Sequence, residues 1–194
     1  MKIKFLIIFL LFFLNCFGQS MEFQGLNTVF TGSDSWKDWI IYTRSGNGRL
    51  TTIFSGNDAW KMWTVTLPGN KTGRIETIFS GSDAWKSWKF NINNVEGKIE
   101  TVFSGSDAWK EWTITTNSST FRVNTVFSGE EGWKDWRVYN FDSDMRVYVK
   151  FSGTDAWRDW NISDYMRYEG AEIKMAGIFI CVITTVLQNI KTDL

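Results

Sequence analysis

The sequence predicts an all-β protein: a tandem array of six two-strand units of about 24 residues, followed by a C-terminal helix. Three observations carry this. A ten-residue motif, FSGSDAWKxW in its commonest form, occurs six times and holds all 12 tryptophans. The segments flanking each copy alternate between apolar and polar residues. The last 30 residues lose the repeat and change to helical spacing. A fixed period of this length marks one supersecondary unit copied in tandem, so the chain reads as an array.

The chain opens MKIKFLIIFLLFFLNCFGQS. Lys2 and Lys4 form a basic region, Phe5 to Leu14 an unbroken apolar run, and Cys16 and Gly18 small residues at −3 and −1 before Gln19. This is the pattern of a secretory signal peptide over 1–18, which is set aside from the fold. Ten apolar residues fall short of the roughly 20 that span a bilayer. Lipidation at Cys16 is the competing use of this segment, and Phe13, Leu14 and Asn15 before it fit that poorly. Cleavage leaves 19 basic and 21 acidic residues, a net charge of −2. No basic field remains to attract nucleic acid. Cys181 is then the only cysteine, so no intrachain disulfide forms and stability rests on packing.

The repeat domain covers 19–163. The motif copies start at Phe30, Phe54, Phe79, Phe103, Phe127 and Phe151, with Gly at +2, an acid at +4, Trp at +6, Lys or Arg at +7 and Trp at +9. Before each Phe, at −4, stand Leu26, Leu50, Ile75, Ile99, Val123 and Val147. With the Phe itself they form a period-two apolar row, rich in β-branched neighbours, which predicts a strand with one buried face that includes the Phe. After the motif, Ile41, Val65, Phe90, Ile114, Val138 and Ile162 follow the second Trp by two. This second strand is half-buried, with the second Trp facing inward.

Between the strands, the motif keeps one length in every copy, so it has a defined backbone shape. Gly at +2 supplies a positive φ. The acid at +4 is expected to accept backbone N–H groups as an Asx turn or cap, over a turn or short 3₁₀ segment. The other connections vary: LPGNKTG, NNVEG, NSST and FDSD. Six such units make about twelve strands. An antiparallel meander, twisted or closed into a barrel, is the preferred arrangement. A parallel solenoid is the alternative, offset by its ladder of like-charged Lys37, Lys61, Lys86, Lys110, Lys134 and Arg158.

The segment 164–194 forms a separate element. Met175, Ile178, Phe179, Val182, Val186 and Ile190 recur at helical spacing. Its apolar stretch of about 13 residues is short for a membrane span. Its many β-branched residues leave a buried strand pair as the alternative; the preferred reading is a helix that caps or lines the array, because an array needs its open apolar end covered.

The chemistry is sparse. The chain has no histidine, the commonest general base and metal ligand. No phosphate-binding Gly-rich loop or serine elbow is present. Each GxD element offers one carboxylate, not the oxygen cluster calcium needs. Asp34 with Asp38, Asp107 with Glu111, Glu131 with Asp135, and Asp155 with Asp159 have the spacing of acid pairs. Four equivalent pairs in a repeat read as surface charge. No enzyme activity, metal or cofactor is expected.

The remaining signal is tryptophan. The second-position residues belong to the core. The first-position column, Trp36, Trp60, Trp85, Trp109, Trp133 and Trp157, either packs between units or lines an exposed rim. The expected role is that of a non-enzymatic exported protein with a structural or binding role at the cell envelope or surface. The alternative is a multivalent carbohydrate-binding module using that Trp column, since aromatic faces flanked by Asp and Lys suit sugar stacking and repeated weak sites gain by avidity. The expected partners are a carbohydrate or another envelope protein, with no nucleic acid and no membrane span after signal cleavage.

Overall fold

The structure, a computed structural model, describes residues 20–190. The expected signal segment 1–18, with Lys2, Lys4 and Cys16, lies outside the described residues. Twelve strands form a closed antiparallel barrel in meander order. They are β1 (Phe23–Thr28), β2 (Asp38–Thr43), β3 (Gly46–Thr52), β4 (Met62–Leu67), β5 (Lys71–Thr77) and β6 (Ser87–Ile92), then β7 (Val95–Thr101), β8 (Glu111–Thr116), β9 (Thr120–Thr125), β10 (Asp135–Tyr139), β11 (Asp144–Val149) and β12 (Asp159–Asp164). Every strand pairs antiparallel with its chain neighbours, and β1 closes on β12 through Leu26↔Trp160. The antiparallel expectation therefore holds and the parallel solenoid does not.

The register explains the repeat. The second Trp of each unit stands opposite the aliphatic residue at −4 of the next: Trp39↔Leu50, Trp63↔Ile75, Trp88↔Ile99, Trp112↔Val123 and Trp136↔Val147. Trp160↔Leu26 completes the circle. These twelve residues are fully buried and form one inward-facing belt around the wall. Burying each indole removes about 150–250 Å² from water, an upper bound of roughly 4–6 kcal/mol apiece.

All six motif connections join an odd strand to the following even one, so they gather at one rim. The variable connections gather at the other. The helix α1 (Ala171–Ile190) follows β12 at the variable rim through a six-residue linker, 165–170. It runs inside the barrel. Phe179 meets Trp63 on β4 at 5.8 Å and Trp88 on β6 at 5.0 Å. On another side, a Cβ built on Gly177 would lie 2.8 Å from Val138 on β10, so only glycine allows that approach. Near its far end, Thr185 Oγ1 donates to the carbonyl of Trp133 at 3.2 Å. Every residue from Ala171 to Val186 is buried.

The helix thus lines the barrel from within and fills the lumen, the second of the two expected placements, and does not cover an end of the array. The reason is geometric. Side chains fill a barrel of about eight strands, whereas a wider one leaves a central void. Twenty helical residues extend about 30 Å, enough to thread the wall from rim to rim. The stretch Ala171–Gln188 is long and apolar enough to cross a membrane, but 89% of it is buried inside the protein. Its apolar surface is consumed by the belt.

Polar contacts fix the helix at the variable rim. Lys174 is buried and donates to Asp164 Oδ2 (3.0 Å), Ser20 Oγ (2.7 Å) and the Met21 carbonyl (3.0 Å). Asp164 also accepts from the backbone N–H groups of Phe23 and Met166. All three ammonium protons therefore have partners, which is what makes a buried charge tolerable. Glu172 accepts from Lys71 Nζ at 2.7 Å and Asn93 Nδ2 at 3.0 Å, tying the helix start to the first residue of β5 and to the connection between β6 and β7.

Candidate binding rim

The motif builds one rim unit in the same way six times. The N–H at −1 bonds the carbonyl at +8, as in Ile53 to Met62 (3.0 Å) and Val102 to Glu111 (3.0 Å), and closes the base of the connection. The glycine at +2 has a positive φ in every copy, +93° at Gly105. Its carbonyl accepts from the N–H at +5, 3.2 Å for Gly105 and Ala108, and starts a 3₁₀ turn. The expected 3₁₀ segment and positive-φ glycine are both present.

Two expectations for this connection are corrected. The acid at +4 makes no capping hydrogen bond through its side chain. It pairs instead with the base three residues on. Asp34–Lys37, Asp58–Lys61, Asp83–Lys86, Asp107–Lys110 and Asp155–Arg158 lie at 2.6–3.2 Å, and Glu131 pairs with Lys134. A 3₁₀ turn has three residues per turn, so side chains three apart stand one above the other. The attraction between them outcompetes the cap.

The second correction concerns Phe. The strand was expected to carry it on the buried face, yet Phe30, Phe54, Phe79, Phe103, Phe127 and Phe151 are 50–63% exposed. The ladder ends at −2 and the −1/+8 closure follows at once. Phe therefore lies in the bend beyond the wall, where strand alternation no longer sets its direction. Ile53, Val102 and Val126 beside it are exposed as well. The Ser/Thr–Gly pair directly after each Phe was the sequence signal for this, because it marks the start of the turn.

The first-position tryptophans sit between units. Trp36, Trp60, Trp109, Trp133 and Trp157 are only 6–9% exposed, and Trp85 is half-buried. Lys or Arg at +7 lies over each ring at 5.0–5.5 Å. The ring also meets the second Trp of the following unit, at 6.0 Å for Trp36–Trp63, 5.9 Å for Trp60–Trp88, 6.0 Å for Trp85–Trp112 and 6.1 Å for Trp109–Trp136. Trp157 meets Trp39 at 6.2 Å across the closure. A sugar stacking on these indoles would have to displace the cation or reach an edge.

The four acid pairs are not brought together as pairs. Asp38 accepts from Arg49 and Thr51, Glu111 from Arg122 and Asp135 from Arg146, and Asp159 pairs with Lys150. The guanidinium of Arg49 bonded to Asp38 holds that carboxyl below its ordinary value, with Thr51 assisting against burial. Each acid is matched to its own cation along the outer wall. Burial pushes the Cys181 thiol well above its ordinary pKa, so it stays protonated against the helix surroundings.

What the rim presents is therefore a circle of six exposed phenylalanines. Each unit is two strands wide, so neighbouring rings are about 10 Å apart along the wall. Beside each ring stand an exposed hydroxyl at +1 and an exposed carboxylate at +4. Comparison with protein families, with curated proteins and with solved structures finds no match for this chain.

Proposed function

We propose that this chain is a non-enzymatic exported protein that binds or scaffolds at the cell envelope or surface through its motif rim. The observation that carries this reading is the circle of exposed phenylalanines at one end of a barrel whose interior is filled by its own helix. Six equivalent aromatic rings on one rigid circle offer repeated weak contacts that gain by avidity. The filled lumen directs attention to the rim. The apolar N-terminal run followed by small residues at −3 and −1 supports export.

Two measurements test the reading. The mass of protein released by expressing cells should correspond to a start at or near Gln19, and retention of Met1 or a lipid on Cys16 would contradict export by signal cleavage. Purified protein should co-sediment with envelope fragments of the producing cells. The triple variant Phe54→Ser, Phe79→Ser, Phe103→Ser should stay folded and lose that association. Equal association of parent and variant would remove the rim from the account.

A further inference from the structure

Four motif positions are identical in all six copies: Phe, Gly at +2 and the two Trp. Three of them have a reason within the fold. The glycines need a positive φ, and the tryptophans build the belt and the unit boundaries. The Phe has no such reason, being at least half exposed in every copy. Elsewhere the copies have diverged where the fold permits, and position +8 holds Asp, Met, Ser, Glu, Asp and Asp in turn. An exposed side chain held through that divergence is held by something outside the fold.

The neighbours of the Phe point to what that is. Position +1 carries a hydroxyl in every copy, Thr31 and then five serines, all exposed. The acid at +4 is 68–78% exposed, whereas the cation paired with it is only 24–30% exposed. We propose that each rim unit binds one sugar of a polysaccharide that carries no acid groups, its ring stacked on the Phe and its hydroxyl or amine groups bonded to the +1 hydroxyl and the +4 carboxylate. This rests on the rim reading above and names its ligand class; it also moves the expected stacking surface from the Trp column to the Phe column.

Other occupants fit less well. A flat apolar partner wants a continuous patch, and these rings stand about 10 Å apart with polar turns between them. An anionic lipid surface meets carboxylates before it meets the mostly covered cations. A second copy docking rim to rim would face its carboxylates with six more. A repeating polymer, by contrast, presents the same small amphipathic face again and again, and weak sites on one rigid circle gain by avidity.

The test is retention of the full exported chain on insoluble cellulose and chitin and on a printed array of neutral and amino glycans. The parent should be retained by at least one of them. Phe103→Ser alone should weaken retention a few-fold, and the Phe54, Phe79, Phe103 triple serine variant by about 10²-fold or more, as loss of multivalency implies. Asp58→Asn, Asp83→Asn, Asp107→Asn together should weaken it too, with the near-ultraviolet circular dichroism of both triples unchanged. No retention of the parent on any glycan, or retention indifferent to the triple serine change, overturns the proposal. If envelope fragments are bound through the phenylalanines while every glycan fails, the rim reading stands and the carbohydrate falls. Binding to phosphatidylglycerol vesicles instead, or a dimer in sedimentation that the triple serine variant abolishes, assigns the rim to another occupant and also overturns it.

Discussion

The indole N–H of Trp112 donates to the backbone carbonyl of Trp109 at 2.7 Å. The same bond recurs in every unit, from Trp39 to Trp36 through Trp160 to Trp157, at 2.6–2.7 Å. It explains the three-residue spacing of the pairs. A buried indole needs an acceptor, and the carbonyl at the end of the 3₁₀ turn needs a donor. One tryptophan thereby holds the turn that positions the other.

Both tryptophans of a unit are structural, and truncation should show it. Trp112→Ala should cost at least about 3 kcal/mol, in the range for large aromatic deletions. Trp109→Ala should cost about as much, because Trp109 is buried and packs on Trp136 of the next unit. Urea unfolding of the two variants checks this. A much smaller cost at Trp109 would mean that the unit boundary contributes little to stability.

Gly105 has a φ of +93° and open space where a Cβ would stand. The cost of a side chain there is backbone strain alone. Gly105→Val should destabilise by about 1–3 kcal/mol. Asn117→Ala, in the variable connection between β8 and β9, should stay within about 0.5 kcal/mol. Equal melting temperatures for the two variants would contradict the division into rigid and loose connections.

The buried pair Lys174–Asp164 ties the helix to β12 and to Ser20. Lys174→Met leaves the carboxylate buried without its cation and should cost about 3–5 kcal/mol. Adding Asp164→Asn removes the stranded charge while keeping an acceptor for the Phe23 or Met166 N–H. The double variant should therefore melt above the single one. A double variant no better than the single would show that geometry, not charge, makes the pair indispensable.

Glu172 supplies a pH-dependent contact. Burial works to raise its pKa, but the hydrogen bonds from Lys71 and Asn93 and the Lys71 charge outweigh it and hold the carboxyl below its ordinary value. A depressed folded-state pKa contributes stability above the unfolded value, about 4.3 for Glu, and loses it as pH falls through the lower folded value. Glu172→Gln should therefore be less stable than the parent at pH 7, with the gap narrowing below about pH 4. Melting curves across that range decide it, and a gap independent of pH would assign the effect to packing.

Much of the wall was legible in the sequence. Leu26, Leu50 and their equivalents face inward because period-two alternation sets the side of a strand on which each residue lies. The second Trp follows the same rule, and Gly105 and its counterparts announce the turn. The alternation failed at Phe54 and the other rim phenylalanines, where the ladder stops two residues earlier. It also could not say what faces each first-position indole. Trp109 meets Trp136, 27 positions away in the chain, and no local pattern encodes that contact.

The sequence by itself determined the unit: two strands, a rigid motif connection, a loose return, six copies and a helical tail. Those are short-range properties, set by side-chain periodicity and by the backbone freedom of glycine. Tertiary structure alone decided that the twelve strands close, that Trp160 pairs with Leu26 across the seam, that the tail enters the lumen, and that six phenylalanines are left outside. Closure is a property of the strand number, twist and register of the whole sheet, and the width that results creates the void that only the helix Ala171–Ile190 can fill.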